Sequence, residues 1–172
     1  MTAPRPTVRR ATEADLGDIQ RIYNEAIRTG TATWDEAPWT MEQRVAWFAG
    51  HDASQPILVA QISSKFAGFA YLSLMSQKSG WRFTREDTIY IEPAFHGAGV
   101  GRTLLTALLD EARALGLRLI VASVTWDNAA SIALHRSLGF EVMGTLHNAG
   151  YKFGRWMDTT YMQLDLGDPA RK

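Results

Sequence analysis

The segment from Thr88 to Val124 restricts the fold of this chain more than any other. A β-branched run, Thr88 to Ile91, is followed by three closely spaced glycines, a helical pattern and a continuous apolar run from Leu117 to Val124. An apolar run without alternation is typical of a strand buried on both faces of a sheet. The order strand, glycine turn, helix and buried strand therefore predicts one parallel crossover.

Shorter patterns flank this crossover on both sides. Thr12 and Thr40 each precede Asp or Gln by three residues, which predicts two capped helices, the second carrying Val45 and Phe48. Further helices are predicted at 103–115 and 128–138, and strands at 7–10, 57–62, 66–74, 88–91, 117–124, 140–146 and 159–166. The chain is therefore expected to be an α/β protein whose mixed central sheet of about seven strands is flanked by helices.

Composition excludes several classes of function. The chain has 172 residues, a length that suits a single domain. Its 18 basic residues balance 18 acidic ones, so no overall positive field favours nucleic acid. Cysteine is absent, which excludes disulfides, thiolate metal ligands and a cysteine nucleophile. Because no run resembles a signal peptide or a membrane span, we expect a cytoplasmic protein without a membrane partner.

Gly97, Gly99 and Gly101 stand between a predicted strand and a predicted helix, and Arg102 follows them. Glycines allow the backbone to turn N–H groups towards a ligand, and a helix N-terminus adds a partial positive charge. This arrangement suits a pyrophosphate. The spacing matches neither a Walker loop nor the dinucleotide-binding fingerprint. An ordinary strand-to-helix turn is the alternative interpretation.

Two longer motifs carry a resemblance to a known family. The stretch from Ile89 to Leu105 resembles the central motif of the GNAT (GCN5-related N-acetyltransferase) superfamily. The stretch Asn128 to Phe140, ending in Leu-Gly-Phe, resembles the motif that follows it. Glu86 to Ile91, His135 and the segment 149–158 are similar to the phosphinothricin and methionine sulfoximine/sulfone acetyltransferase branch. The resemblance extends from about residue 8 to residue 166, within one domain of residues 1–172.

This resemblance implies a GNAT-like fold, splayed between strands four and five, with acetyl-CoA as the cosubstrate. The backbone of residues 89–91 would pair with the pantetheine arm, residues 96–103 would hold the pyrophosphate, and Asn128 would contact the pantetheine side. His96 stands where the superfamily usually has Gln or Arg. The predicted cofactor-binding residues are Ile89, Tyr90, Ile91, His96, Gly97, Ala98, Gly99, Val100, Gly101, Arg102, Thr103, Asn128 and Ser131.

The same resemblance identifies two candidate catalytic residues. Glu86 would accept the proton that the attacking amine must lose, with a solvated surface acid as the alternative. His135 would serve as acid, base or positioning group, with an exposed helix histidine as the alternative. The other histidines lack metal-ligand spacing, so no metal is expected. With no cysteine available, direct transfer in a ternary complex is predicted.

The predicted substrate-binding residues are Trp34, Trp81, Arg82 and Tyr90, of which Arg82 would bind a carboxylate. For the tryptophans, packing in the core or at a dimer interface is an alternative. The leading hypothesis is acetylation of a small amino acid-like amine, of the phosphinothricin, methionine sulfoximine or methionine sulfone type, by a homodimer. Two other functions stay open: acetylation of a protein N-terminus or another amine, and a non-catalytic acyl-CoA-binding sensor.

Overall fold

The computed structural model describes residues 4–168. In this range seven strands form one sheet: β1 (Thr7–Arg10), β2 (Ile57–Ile62), β3 (Lys65–Leu74), β4 (Thr84–Ile91), β5 (Leu119–Thr125), β6 (Glu141–Lys152) and β7 (Arg155–Asp165). The strand order is β1-β2-β3-β4-β5-β7-β6, with β4 and β5 parallel and all other neighbours antiparallel. The predicted mixed sheet with one parallel crossover is confirmed.

The helices of the described range are α1 (Leu16–Thr29), α2 (Met41–Ala49), α3 (Val100–Ala114) and α4 (Ala129–Ser137). The predicted threonine caps are both present. Thr40 accepts a hydrogen bond from the Gln43 backbone, and Thr12 forms a capping box with Asp15 at the 3-10 turn that precedes α1. Among residues 4–168, no helix is long and apolar enough to cross a membrane.

The sheet carries an apolar cluster on each face. Because consecutive strand residues face opposite sides, Leu58 packs with the α3 cluster and Val59 with the α1 cluster. The α3 face is filled by Leu104, Leu105 and Leu108 from the helix that follows the glycine turn. These leucines are fully buried, so the position of the glycine turn relative to the sheet is fixed by close packing.

Helix α2 buries a charged residue where an apolar one was expected. Val45 is 49% exposed, whereas Arg44 is 1% exposed and its guanidinium lies 4.4–4.6 Å from the ring centroids of Tyr23, Trp39 and Trp47. Stacking on aromatic rings stabilises a guanidinium in a desolvated position. Burial lowers the pKa of Arg44 from its usual value.

Several element boundaries differ from those predicted. Strand β4 begins at Thr84, so Glu86 lies within the strand and not before it. Helix α3 begins at Val100, inside the glycine segment. Strands β6 and β7 form a hairpin that continues well past residue 146, with register shifts between residues 142 and 144 and between 146 and 150. These irregularities interrupt the alternation that would have shown the full length of the strands.

Candidate active site

The parallel ladder between β4 and β5 stops halfway along both strands. It pairs Thr84 with Leu119 through to Asp87 with Ala122, although β4 continues to Ile91 and β5 to Thr125. Beyond this point the two strands separate, while β4 remains paired with β3 on its other edge. The edge of β4 that faces β5 therefore presents backbone N–H and C=O groups to an opening in the sheet. The predicted splay is present.

A groove of about 580 Å³ runs from the splay to the N-terminus of α3. Its walls include these predicted cofactor-binding residues: Ile89, Tyr90, Ile91, His96, Gly97, Gly99, Val100, Gly101, Arg102, Asn128 and Ser131. Ala98 and Thr103 do not line it. The Thr103 hydroxyl donates to the Gly99 carbonyl at 3.0 Å, because Thr103 lies a full turn into α3. We call this space the donor groove.

The glycine segment has the backbone that an anion cradle needs. Gly97 and Gly99 have φ angles of +77° and +80°, in the left-handed region, and Gly99 is the N-cap of α3. No atom lies within 4 Å of the position that a Cβ would take at either residue. Open space therefore adjoins the N–H groups and the positive end of the α3 dipole. The segment fits the pyrophosphate of acetyl-CoA.

Two predicted cofactor-binding side chains already have partners in the protein. His96 Nε2 lies 3.2 Å from the Ile91 carbonyl oxygen, and this contact ties the glycine segment to the end of β4. Asn128 Oδ1 accepts a hydrogen bond from the Ser131 backbone N–H at 3.1 Å and caps α4. Both residues still line the donor groove, so each combines a structural contact with a place on the groove wall.

A second cavity, of about 290 Å³, adjoins the donor groove at the splay. Its walls come from β4 and β5, from α1 and α4, and from the loop that follows α1. Residues 31–35 of that loop all line the cavity, and residues 86–90 of β4 line the opposite side. Five residues line both spaces: Ala32, Ile89, Tyr90, Asn128 and Ser131. We call the second cavity the acceptor pocket.

Glu86 presents its carboxylate to the acceptor pocket. It is half-buried on β4, and within residues 4–168 no hydrogen bond joins its carboxylate to another group. Burial, and secondly the charge of neighbouring Asp87, raise the pKa of Glu86 above its usual 4.5. An unpaired carboxylate with a raised pKa is a better proton acceptor than an ordinary surface glutamate.

His135 is 2% exposed, so the alternative of an exposed helix histidine is wrong. Its Nδ1 lies 2.7 Å from the Ser131 carbonyl oxygen, and its Nε2 lies 3.0 Å from Asp87 Oδ2. A carbonyl and a carboxylate can only accept, so an imidazolium that donates from both nitrogens satisfies both contacts. The other oxygen of Asp87, Oδ1, is buried and has no hydrogen-bond partner among the described residues.

The environment of His135 favours its charged form. Burial alone lowers the pKa of His135, but the hydrogen bond and negative charge of Asp87, together with the Ser131 carbonyl, raise it above the usual 6.5. A raised pKa in the folded state stabilises the fold below the unfolded-state pKa, and this contribution is lost as the pH rises through the folded-state pKa. The charged form is thus more favoured in His135 than in an ordinary histidine.

The structure brings together only part of the predicted substrate set. Trp34 and Tyr90 line the acceptor pocket, but Trp81 and Arg82 do not. The latter two belong to an exposed turn ahead of β4, on the side where β4 and β5 are still paired. There the Arg82 guanidinium stacks on the Phe83 ring at 4.4 Å and donates to the Ser79 carbonyl oxygen.

Sequence reasoning missed several residues of the acceptor pocket. Asp87 is the most important, because it pairs with His135 across the splay. The signal for it was present: an acidic residue shares a strand face with Ile89 and Ile91, which pack against the apolar α3 cluster. Tyr23, Thr33 and Asp35 were also missed, since they come from a helix face and a loop with no motif.

Comparison with known proteins identifies the family. Residues 8–161 match the family model described as acetyltransferase (GNAT) domain. The chain belongs to the GNAT acetyltransferases. It is 44% identical over 167 residues to an L-methionine sulfoximine/L-methionine sulfone acetyltransferase of Pseudomonas paraeruginosa, covering 96% of each chain. It is 42% identical to a phosphinothricin N-acetyltransferase of Alcaligenes faecalis, covering 94% of this chain and 84% of the relative.

A solved structure connects this acetyltransferase to its cosubstrate. A putative acetyltransferase from Salmonella typhimurium, solved with its cofactor acetyl-CoA, has a TM-score of 0.91 and 40% identity over 94% of both chains. The protein is an acetyl-CoA-dependent N-acetyltransferase, and the predicted fold and cosubstrate are confirmed. Within residues 4–168, no group of three or more His, Asp and Glu side chains could hold a metal ion.

The contact between His135 and Asp87 leads to a first prediction. Replacing Asp87→Asn removes the charge that raises the pKa of His135, so this pKa should fall relative to the wild type. The unfolding free energy should drop by about 2 kcal/mol at low pH. The deficit should shrink as the pH rises through the wild-type pKa of His135, where the imidazolium is lost.

NMR titration of the histidine rings, together with denaturant unfolding at about pH 5.5 and pH 8.5, measures both effects. Asp110→Asn, an exposed position on α3, is the matched control and should change neither quantity appreciably. An unchanged His135 pKa in Asp87→Asn would contradict the assigned contact.

Proposed function

We propose that this acetyltransferase moves the acetyl group of acetyl-CoA to the primary amine of a small amino acid-like acceptor. The proposed acceptors are of the methionine sulfoximine, methionine sulfone or phosphinothricin type, as in the relatives' names. The observation that carries this proposal is the acceptor pocket, a cavity of about 290 Å³ that meets the donor groove at the splay. A cavity of this size suits a single amino acid and not an extended peptide.

The charges around the acceptor pocket favour an ammonium group. Asp35, Glu86 and Asp87 all line it, and His135 is its only lining residue of basic type within the described chain. Negative potential in a partly closed cavity concentrates a cationic substrate and orients its charged end inward. The amine would therefore enter as an ammonium ion, directed towards β4, and would need to lose a proton before attack.

Glu86 is the proposed general base. It is the pocket carboxylate with a raised pKa and without a hydrogen-bond partner in residues 4–168. One oxygen of the neighbouring Asp87 already contacts His135. The Asp35 carboxylate accepts hydrogen bonds from Tyr23 and Trp39 at 2.6 and 2.7 Å. Because Asp35 and Asp87 each have a side-chain partner and Glu86 has none among the described residues, Glu86 is the acid proposed to take a proton from the ammonium.

The His135–Asp87 pair is the proposed proton donor at the end of the reaction. Acetyl-CoA supplies an acetyl group activated as a thioester. The Ser131 carbonyl fixes one ring nitrogen of His135, so the other points to β4 at the splay. A proton held between His135 and Asp87 would be available to the departing sulfur. Unpaired N–H groups on the β5-facing edge of β4 would donate to the oxygen on which negative charge develops.

Direct transfer in a ternary complex is the proposed kinetic mechanism. The donor groove and the acceptor pocket share Ala32, Ile89, Tyr90, Asn128 and Ser131, so the two substrates can meet without a carrier residue. The chain has no cysteine to form a thioester intermediate. Holding both reactants in one cavity supplies the orientation that such a reaction needs.

We also propose that the protein is a homodimer formed through the β6–β7 hairpin. The hairpin exposes six large apolar side chains, at 42–63% relative exposure: Val142, Met143, Leu146, Tyr151, Phe153 and Trp156. Several large apolar side chains exposed on one hairpin are a feature that favours an interaction site. Sedimentation equilibrium should give twice the mass of the 19.2 kDa chain, and a monomer at micromolar concentration would disprove the proposal.

Release of free thiol from acetyl-CoA, measured across a panel of amines, tests the proposed function. Methionine sulfone, methionine sulfoximine and phosphinothricin should be turned over, and short peptides should not. Double-reciprocal plots should converge. Turnover of peptides alone would overturn the acceptor class, and tight acetyl-CoA binding without turnover of any amine would indicate a sensor. Parallel plots with an isolable acetyl-enzyme would overturn direct transfer.

Glu86→Gln should lower kcat for the best amine by about 100-fold near pH 7, because the variant cannot accept the ammonium proton. The loss should shrink as the pH approaches the pKa of the amine, since an already neutral amine needs no base. The KM for acetyl-CoA should stay within about twofold of the wild type. Glu42→Gln, on the exposed side of α2, is the control.

A full pH–rate profile of wild type, Glu86→Gln and Glu42→Gln measures these effects. A loss of kcat that is equally large at all pH values would show that Glu86 does not act as a base.

A further inference from the structure

Lys152 is a buried cation whose contacts lie far from its place in the sequence. It ends β6, is 2% exposed, and forms no salt bridge with any carboxylate in the described part of the chain. Its ammonium donates to the Gly30 carbonyl at 3.0 Å and to the Thr33 carbonyl at 2.8 Å. Removing an ammonium from water is costly unless other groups replace the lost hydration. Here these two loop carbonyls do so.

The loop that Lys152 holds is the one that closes the acceptor pocket. We call residues 30–35 the acceptor loop. Tyr90 donates to the Ala32 carbonyl at 3.1 Å, so side chains from the sheet bind three backbone carbonyls of the loop, those of residues 30, 32 and 33. A loop has no ladder of its own to satisfy these carbonyls, so such side-chain donors determine its conformation.

A second contact joins the same strand to the same loop. Gly150, two residues before Lys152, lies directly against the Trp34 indole, and a Cβ at Gly150 would overlap the ring. The absence of a side chain at residue 150 therefore permits the observed position of Trp34, a wall of the acceptor pocket. Gly144, on the same strand, has no atom within 4 Å of its Cβ position.

We propose that Lys152 and Gly150 are positioning residues for the acceptor amine, and that they act through the acceptor loop. Lys152 fixes the backbone of the loop and Gly150 makes room for Trp34. Residues 31–35 all line the acceptor pocket, whereas Ala32 alone among them lines the donor groove. Loss of either contact should therefore weaken acceptor binding and leave acetyl-CoA binding intact. This inference rests on the proposed function, because it assumes that the pocket binds the amine.

Lys152→Met tests the first contact, because methionine keeps much of the aliphatic stem and removes the donors. The KM for the acceptor should rise about tenfold, since small displacements of positioning groups have effects of at least this size. The KM for acetyl-CoA should stay within about twofold. Lys65→Met, at an exposed position in the β2–β3 hairpin, is the matched control and should leave both constants unchanged.

Gly150→Ala tests the second contact without removing a charge, and Gly144→Ala is its control on the same strand. The acceptor KM should again rise while the acetyl-CoA KM does not. If Lys152→Met does not fold, the acceptor KM of Gly150→Ala alone tests the proposal. Unchanged acceptor KM in the folded variants, or an equal rise in both constants, would overturn the proposal, whatever the effect on thermal stability.

Hydrogen exchange separates failure of this inference from failure of the proposed function. If the wild-type protein acetylates none of the amines, the proposed function fails, but the effect on the loop is still measurable. Amides of residues 30–35 should exchange faster in Lys152→Met than in Lys65→Met, and amides of residues 97–102 should not. Equal exchange of the acceptor loop in the two variants would overturn the positioning role itself.

Discussion

The end of the β4–β5 ladder at Asp87 and Ala122 is the constraint on which the rest of the site depends. A strand that stays paired on one edge and unpaired on the other keeps its shape while offering backbone groups to a ligand. Adjacent residues of β4 point to opposite faces of the sheet, so Glu86 and Asp87 would normally be separated by it. At the splay both reach one cavity, so one strand carries the proposed base and the partner of the proposed acid.

Three charged groups of low exposure lie in the wall of the acceptor pocket or contact residues that line it, and each is stabilised differently. His135 is paired with a carboxylate, Arg44 lies among aromatic rings, and Lys152 binds backbone carbonyls. Only the first arrangement is a conventional ion pair. The other two place positive charge near the acceptor pocket without a direct ion pair to its acidic residues, and both interact with the charge of Asp35 at longer range.

The part of the site encoded in a continuous segment could be predicted from the sequence. The crossover strand, the glycine turn and α3 follow from local pattern. They form the donor groove together with α4 and one face of α1, and the α1 face was not predicted to line it. The resemblance to known acetyltransferases named Glu86 and His135. The surroundings of these two residues were harder to predict from the sequence, because the role of Asp87 depends on its contact with His135, 48 residues away in the chain.

The acceptor side depends on contacts that no local pattern shows. Lys152 and Gly30 are 122 residues apart in the chain. Lys152 lies on a bulged hairpin that lacks regular alternation. Trp81 and Arg82 were selected for their chemistry, but the splay opens beyond them and they line no part of the pocket. Arg44 has the pattern of a surface residue, and the aromatic rings of Tyr23, Trp39 and Trp47 explain its burial.

The acceptor loop and the glycine turn belong to different parts of the chain and are held by separate sets of contacts. The glycine turn is anchored by the leucines of α3, whereas the acceptor loop is anchored by the end of a long hairpin. Under the proposed positioning role, mutations that reshape the hairpin would alter which amine is accepted and leave the donor site unchanged. Such a division would allow related enzymes to diversify. The donor groove would stay constant while the acceptor pocket changed to fit new metabolites or toxins.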